Sequence, residues 1–393
     1  MRLLVISPKY FPDNFSVTPI AESFVKAGLD VTVLTSLPFG FDGIYYPDYL
    51  DKTYEEINGV KVHRVKVKTR KNTTGSLIRN YLSVWKEFKR WVKKCKEDYD
   101  AVYSFGISPV LALVAGNIYK EKHHVPHYAH ILDLWPDSVV SAGYSSKKSL
   151  KYRFLYKWSK EIYSKVDHLI VGSPSFAHYF EDVLKMENLN ITYIPQPALS
   201  SFEKNELNPF DKNRFNILYC GNISTLQLVD YFVPAMEKVN NKNVFFNILG
   251  TGKDEELLKR MIEDSPAKDN IKFYGSVRSS DVFRYYLHAD AVVVSLKNVG
   301  YTGKTIPNKL ISCLYYSKPI IGMIDGDGRD VLIKAEGCVI ADESIDSLSL
   351  AIDKISSFDE EKLKRMALNN YRYYLANFDL DIIVNKLLSL IVK

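Results

Sequence analysis

The sequence predicts two doubly wound α/β domains, each a parallel β-sheet covered by helices. Short apolar runs of strand length alternate with segments of helical period along the chain. These runs are continuously apolar, as in strands buried on both faces of a parallel sheet. The alternation stops at residues 194–213, which are rich in Pro, Ser, Asn and charge, and then restarts.

The first half of the chain carries six predicted strands and five predicted helices. The strands are Arg2–Ser7, Val31–Thr35, Val60–Val67, Ala101–Phe105, His127–Leu132 and Asp167–Ser173. The helices are Thr18–Ala27, Ser76–Lys96, Pro109–Glu121, Leu150–Lys165 and Pro174–Leu184. We therefore expect a first domain over residues 1–197.

The second half repeats the pattern, with helices between six further strands. These strands are Phe215–Cys220, Val244–Leu249, Ile271–Gly275, Ala291–Leu296, Pro319–Ile324 and Cys338–Ala341. We expect a second domain over 198–378 and a final amphipathic helix, 379–393, that packs back on the first domain. Two such domains that face each other form a cleft at the carboxyl ends of both sheets, where ligands bind in this architecture.

Composition excludes several classes of protein. With 393 residues, 46% hydrophobic and 25% charged, the chain is typical of a globular protein with two cores. No apolar run approaches the length of a membrane-spanning helix, and the N-terminal run is too short for a signal peptide. The cysteines lack CxxC spacing, which argues against a zinc site and favours a reducing cytoplasm. They are Cys95, Cys220, Cys313 and Cys338.

Positive charge is concentrated in the first half. Lys61–Asp98 holds thirteen Lys and Arg against three Asp and Glu, and Lys147–Lys165 holds seven against one, although the whole chain carries only +6. Within Ser76–Lys96 the apolar stripe is Leu77, Tyr81, Val84, Phe88, Trp91 and Val92. It indicates either docking on anionic lipid or an ordinary helix whose apolar side faces the sheet, and we favour lipid. No RNA-binding motif accompanies the charge, so no nucleic-acid partner is expected.

Three nucleotide-like or metal-like motifs favour structural explanations. Gly250–Glu255 (GTGKDE) matches a dinucleotide loop at only two glycines, so a tight strand-to-helix turn is the better interpretation. Asn298–Thr305 (NVGYTGKT) lacks the first glycine of a P-loop. Asp325 and Asp327 could pair on a divalent metal, but no third ligand has suitable spacing, and a polar loop is favoured. We expect no metal and no cofactor.

Lys309 raises a question of charge. It falls in the first turn of a predicted helix that begins after Pro307, where the helix dipole is positive and a cation is disfavoured. Either its side chain points into water, or an anion binds there.

The chain resembles one family along nearly its whole length. The matching segments, in order, are Ile6–Pro38, DLWPDS (Asp133–Ser138), Val166–Ser175, ILYCGNIS (Ile217–Ser224), ILGTG (Ile248–Gly252), IKFYGSV (Ile271–Val277) and Ala289–Ile321. They are similar to retaining glycosyltransferases of the GT-B fold, family 4-like, that build bacterial surface polysaccharides. DLWPDS is most similar to the branch that includes N-acetylfucosamine transferases of capsule and O-antigen synthesis.

The resemblance implies a donor site for a nucleotide sugar, with UDP as the expected nucleotide. It places Lys309 and the loop with Gly221, Asn222 and Ser224 around the donor diphosphate, where an anion resolves the question of charge. It places the base at the backbone of Gly275–Val277. The remaining candidates for donor binding are Gly250, Lys297 and Ser312.

The sequence departs from the family in the first loop, where Asn14, Phe15 and Ser16 stand in place of the usual Gly-Gly, and at two positions of the second half. Relatives carry two glutamates eight residues apart, one toward the donor sugar and one toward the ribose. Lys304 and Ser312 stand there in this chain. Ser312 can still donate one hydrogen bond to a ribose hydroxyl.

Asp133 and Lys309 are the expected catalytic residues. Lys309 and the Gly221–Ser224 amides would stabilise the leaving diphosphate. Asp133, at the end of a predicted strand, would bind a sugar hydroxyl or assist proton transfer, and a turn or cap role is the alternative. The expected acceptor-binding residues are Asn14, Phe15, Ser16, His130 and Trp135. Trp135 either stacks on a sugar ring or fills the core.

The expected function is transfer of a sugar, with retention, from a UDP-sugar to a polyprenyl-diphosphate-linked or other glycan acceptor. The expected location is the cytoplasm, peripheral at the inner face of the cell membrane. Two alternatives stay open: a sugar-nucleotide 2-epimerase of the same fold, and a non-catalytic relative that binds glycan or nucleotide.

Overall fold

A computed structural model describes residues 1–40, 42–71, 73–141, 143–198, 207–278 and 281–392. The chain forms two compact units, Met1–Gln196 with Leu380–Lys393, and Pro197–Asp379. These boundaries lie one residue from the expected ones. Of the predicted break at 194–213, residues 199–206 lie outside the described part of the chain.

Within the described residues the strands follow the predicted alternation. They are β1 Arg2–Ile6, β2 Asp30–Ser36, β3 Tyr54–Ile57, β4 Val60–Val65, β5 Ala101–Gly106, β6 His127–Ile131, β7 His168–Val171, β8 Ile191–Tyr193, β9 Phe215–Cys220, β10 Val244–Leu249, β11 Ile271–Gly275, β12 Ala291–Ser295, β13 Ile320–Met323 and β14 Cys338–Ile340. All the predicted strands are present, and β3 and β8 were missed. β3 is a mostly polar edge strand and β8 has three residues, so neither carries a continuous apolar run.

The helices lie between the strands. They are α1 Val17–Lys26, α2 Thr74–Lys94, α3 Leu113–His123, α4 Asp137–Ser141, α5 Leu150–Ser164, α6 Ser175–Asp182, α7 Phe232–Lys238, α8 Glu255–Asp264, α9 Val282–His288, α10 Asn308–Tyr315, α11 Gly326–Ala335, α12 Ile345–Ser356, α13 Glu360–Asn377 and α14 Leu380–Ile391. No helix in the described part of the chain has the length and apolar character needed to cross a membrane.

The first unit is built on a sheet with the order β3-β4-β2-β1-β5-β6-β7-β8. Its neighbouring strands are parallel except β3 and β4, which are antiparallel. The last helix, α14, packs on α1, where Ile383 and Leu387 share a fully buried cluster with Ile20 and Phe24. The end of the chain therefore completes the core of the first unit.

The apolar stripe of α2 faces the sheet. Val84, Phe88 and Val92 are buried in one cluster with residues of β1 and β5, and Trp91 packs on its edge. The interpretation of this stripe as a lipid-binding face was therefore wrong. A helix beside a sheet needs an apolar face of the same period, and sequence alone does not separate the two uses.

The second unit is a parallel sheet with the order β11-β10-β9-β12-β13-β14. Leu249 at the end of β10 lies in register with Cys220 of β9 and with Gly275 of β11. Because neighbouring parallel strands end at the same edge, the loops after these strands meet there. The candidate donor site is built on that edge.

Candidate functional site

The loops after β9 and β10 cross at contact distance. A Cβ atom at Gly250 would lie 1.8 Å from the carbonyl oxygen of Gly221, and one at Gly252 would lie 2.1 Å from that of Ile223. Gly250 also has a φ of +138°, a backbone conformation that residues other than glycine rarely adopt. The close approach of two backbones is therefore sufficient reason for both glycines of the GTGKDE motif.

Part of the loop after β9 is already hydrogen-bonded within the fold. The Gly221 N–H donates to Leu249 O and the Ile223 N–H donates to Thr251 O, each at 3.0 Å. Two of the amides expected to bind a diphosphate, those of Gly221 and Ile223, are therefore already committed to the fold. Among the described residues, the N–H groups of Asn222 and Ser224 have no acceptor.

The Lys309 ammonium lies against this loop. Helix α10 begins directly after Pro307, and Lys309 Nζ lies 3.4 Å from the position that a Cβ atom of Gly221 would take. It donates to the side-chain oxygen of Gln227, lies 3.2 Å from the Tyr219 hydroxyl and sits 4.6 Å from the centre of that ring. The side chain is thus turned toward the sheet edge and half-buried, so the alternative of a fully solvated lysine was wrong.

The charge on Lys309 has no carboxylate partner among the residues that the structure describes. In the described part of the chain its contacts are neutral: Tyr219, Gln227 and the carbonyl oxygen of Ser295 at 3.4 Å. Burial lowers the pKa of Lys309 to about 7. Burial also raises the pKa values of the nearby Cys220 and Cys313 thiols to about 11 and about 12, so both stay uncharged. An anion at this position would supply the missing countercharge.

The other expected donor residues divide into two groups. Asn222, Ser224 and Val277 lie on loops at this sheet edge, and Gly275 is the last residue of β11. The Asn222 side-chain amide donates to Ser224 Oγ at 3.2 Å. Ser312 follows Lys309 on α10 and is half-buried.

Lys297 and Lys304 are exposed. Lys297 was an expected donor-binding residue, and Lys304 stands where relatives carry a glutamate. The structure gives neither of them the protein contacts that hold Lys309 in place.

The described residues contain no candidate metal site, because no cluster of three or more His, Cys, Asp or Glu side chains occurs among them. Asp325 instead caps α11, because its carboxylate accepts from Gly326 N at 2.8 Å and from Asn298 Nδ2 at 2.7 Å. The expectation of a polar loop at Ile324–Gly328 was therefore wrong, because Asp325 is the helix cap and Asp327 lies in the first turn of α11.

Asp133 lies just after β6 in the first unit, at the carboxyl edge of that sheet. Ser108 Oγ donates to Asp133 Oδ2, and Trp135 Nε1 donates to Ser108 Oγ at 2.8 Å. Burial raises the pKa of Asp133, while these hydrogen bonds act in the opposite direction. Asp133 is therefore held by a serine and a tryptophan, and it is positioned to accept or to donate a proton.

His130 and Trp135 belong to the core. The fully buried His130 accepts from the Tyr103 hydroxyl at Nδ1 (2.8 Å) and donates from Nε2 to Ile194 O (2.9 Å). Burial lowers its pKa to about 4. Trp135 is 4% exposed and its ring meets Tyr81 at 5.6 Å. The expectation that these two side chains bind an acceptor was wrong, since both are packed inside the unit.

The three residues before α1 differ in exposure. Asn14 is exposed, Phe15 packs half-buried on the core, and Ser16 is buried with its hydroxyl donating to the Gln196 side chain at 3.0 Å. Only Asn14 presents a free polar side chain to solvent.

Two family models match the chain, one to each half. "Glycosyl transferase 4-like domain" matches residues 15–197 and "Glycosyl transferases group 1" matches 201–373. The chain is a glycosyltransferase of the GT-B fold. The expected two-domain α/β fold is confirmed.

Individual relatives of this glycosyltransferase are distant in sequence. The probable glycosyltransferase WbjE of Pseudomonas aeruginosa is 24% identical over 311 residues, which cover 74% of this chain and 75% of that protein. Sucrose-phosphate synthase from Thermosynechococcus elongatus has a TM-score of 0.75 at 17% identity, over 99% of this chain and 98% of that one. Anabaena HepE in complex with UDP and glucose has a TM-score of 0.71 at 14% identity, over 99% and 98%.

Three residues around Lys309 and Asp133 of this glycosyltransferase were not predicted from the sequence. Tyr219 was counted only as an apolar strand residue, and Gln227 lies in a loop without a motif. Ser108 lies after β5, far along the chain from Asp133. One signal in the sequence could have identified Ser108. Ser108 and Asp133 are each the second residue after the end of a strand.

Proposed function

We propose that this glycosyltransferase uses a UDP-sugar as donor and binds its diphosphate at Lys309. The observation that carries the proposal is the half-buried Lys309 ammonium, which has neutral partners and no carboxylate among the described residues. Two loop amides, those of Asn222 and Ser224, lie on the same sheet edge and have no acceptor in the part of the chain that the structure describes. The UDP bound to HepE, a protein of the same fold, supports UDP as the nucleotide.

In this proposal the positive charge that a leaving diphosphate needs comes from Lys309 and from the first turn of α10. Transfer passes through an oxocarbenium-like state, and the configuration of the sugar is retained. The leaving phosphate takes the proton of the acceptor hydroxyl. The reaction then requires no bound metal, and activity is expected to persist in EDTA.

Asp133 is proposed to bind the hydroxyl group of a sugar or to assist proton transfer. Its carboxylate is already oriented by Ser108, whose hydroxyl donates to Asp133 Oδ2. The proposed acceptor is a lipid-linked glycan of bacterial surface polysaccharide synthesis at the inner face of the membrane. The resemblance of DLWPDS to the branch that includes N-acetylfucosamine transferases supports this choice.

The test is a panel of UDP-sugars incubated with the purified protein, with and without a lipid-linked acceptor, while release of UDP is followed. We expect release that depends on one donor and rises strongly with acceptor. Formation of a 2-epimer without UDP release would identify an epimerase. Binding of UDP with no turnover of any donor would identify a non-catalytic relative.

A further inference from the structure

Helix α2 has a second apolar side that does not face the sheet. Ile78 and Leu82 are 42% and 46% exposed, and Trp85 lies half-buried on the same side, at spacings of four and three residues. This side differs from the core stripe through Val84 and Phe88. Burial in the fold therefore does not explain it.

Helix α5 extends this side. Leu150 is 80% exposed and Phe154 is 61% exposed, and Trp158 follows at the same four-residue spacing. The Trp158 ring meets Phe154 at 5.5 Å and meets Trp85 of α2 edge-on at 6.2 Å. The two helices thus join their exposed apolar residues into one surface, the aromatic patch: Ile78, Leu82, Trp85, Leu150, Phe154 and Trp158.

The patch is surrounded by positive charge. Lys and Arg outnumber Asp and Glu six to one in α2 and four to one in α5. The single acidic residue of α2, Glu87, is paired with Arg90 at 2.9 Å. Lys89 lies 5.1 Å from the centre of the Trp85 ring, and Lys151 and Lys157 are exposed beside Phe154.

We infer that the aromatic patch docks this glycosyltransferase on an anionic phospholipid surface. Apolar side chains would enter the interface between headgroups and acyl chains, while the surrounding lysines bind the headgroups. Large exposed apolar patches in soluble proteins mark interaction sites. The inference rests on the proposed function only for the reason that the protein would bind a membrane: a lipid-linked acceptor places the reaction at a bilayer.

Charge selects a lipid surface over a second copy of the chain. Two aromatic patches packed on each other would bring together two strongly basic surfaces, which is unfavourable. An anionic bilayer instead complements the charge and accepts aliphatic side chains such as Leu82 and Leu150. Nucleic acid would complement the charge but offers no apolar phase for these side chains.

The test is co-sedimentation of the full chain with vesicles. One set contains phosphatidylcholine alone and the other an equal mixture with phosphatidylglycerol. We expect binding to the anionic vesicles only, weakened by salt because screening shortens the range of the attraction. Binding that ignores both phosphatidylglycerol and salt would overturn the inference.

Variants locate the surface. The double variant Leu82→Ser, Phe154→Ser is expected to weaken binding to anionic vesicles by about tenfold or more, since two apolar side chains leave the interface. Leu350→Ser is the matched control, because Leu350 of α12 is 68% exposed in the other unit. Lys151→Glu with Lys157→Glu should also cost about tenfold or more, against an unchanged Lys212→Glu control.

The outcome is separable from that of the donor proposal. UDP binding by calorimetry should be the same in all these variants and in the unaltered protein. If UDP fails to bind while vesicle binding follows the pattern above, the donor proposal fails and the aromatic patch stands. An equal loss of vesicle binding in the Leu350→Ser control would contradict the inference. So would a dimer of the original chain that dissociates in the double variant while vesicle binding stays unchanged. Binding to RNA but not to vesicles also overturns it.

Discussion

Asp133 in the first unit and Lys309 in the second lie at the carboxyl edge of a parallel sheet, and each is half-buried. Burial favours the neutral form of both side chains, because it raises the pKa of Asp133 and lowers the pKa of Lys309. Their surroundings differ. Asp133 receives the hydroxyl hydrogen of Ser108, whereas Lys309 meets only neutral acceptors in the described part of the chain.

This difference indicates which partner each site lacks. The carboxylate of Asp133 receives hydrogen bonds from donors that the protein already supplies, and these oppose the effect of burial on its pKa. The ammonium of Lys309 has no countercharge within the described ranges, so a bound anion would stabilise it more than any of the neutral groups that contact it. The second unit is therefore the one prepared to gain an anionic ligand.

The largest expected effect is on turnover. Asp133→Asn keeps the shape of the side chain and an acceptor for Ser108 but removes the carboxylate. We expect kcat to fall by about a hundredfold or more, the range for loss of a proton-transfer group, with the Kd for UDP unchanged. The measurement is UDP release at saturating donor beside calorimetry.

An exposed matched change, Asp51→Asn, serves as the control. If Asp133→Asn keeps turnover within about twofold of the original, Asp133 is a turn residue and takes no part in catalysis.

A smaller effect is expected on UDP affinity. Lys309→Met keeps most of the packed aliphatic chain and removes the charge. UDP binding should weaken by about 1.5–3 kcal/mol, the range for hydrogen bonds to a charged group. The melting temperature of the free protein should stay the same or rise, because an unpaired, partly buried charge has been removed.

Lys354→Met, at an exposed position in the last turn of α12, removes the same charge elsewhere and should leave the Kd unchanged. Equal UDP affinity in Lys309→Met and in the original chain would remove Lys309 from the donor site.

The smallest effect is a dependence of UDP affinity on pH. Burial places the pKa of Lys309 at about 7, so the free protein loses this proton as the pH rises through that value, and binding of an anion must restore it. Affinity should therefore decline between about pH 7.5 and about pH 9.5, by at most about tenfold per pH unit, and Lys309→Met should show no such decline.

The thiols of Cys220 and Cys313 remain protonated over this interval and contribute no charge. Identical pH profiles for the original chain and the methionine variant would show that Lys309 does not titrate in response to UDP.

The fold was largely predictable because parallel strands are buried on both faces and leave continuous apolar runs. The strands β3 and β8 were missed because an edge strand has no such run. Sequence also identified α2 correctly as an amphipathic helix, but it could not tell that Phe88 faces the sheet while Leu82 faces solvent. That distinction depends on the packing direction of the helix, which periodicity alone does not contain.

The candidate site was predictable only where a motif or a helix start stands in the sequence. Lys309 was found because its position in the first helical turn conflicts with the dipole. Gln227 and Tyr219 were missed, since their contacts with Lys309 join residues more than eighty positions apart. His130 was misplaced because sequence cannot show that Tyr103 and Ile194 occupy both of its ring nitrogens.

The crossing of the loops at Gly221 and Gly250 has a practical consequence for redesign. The two segments come into close backbone contact at this point and again at Gly252 and Ile223. Neither segment can be exchanged alone for that of another transferase without a collision unless the incoming partner also carries glycine at the contact. Chimeras intended to alter donor choice must therefore transplant 220–224 and 250–254 as one unit.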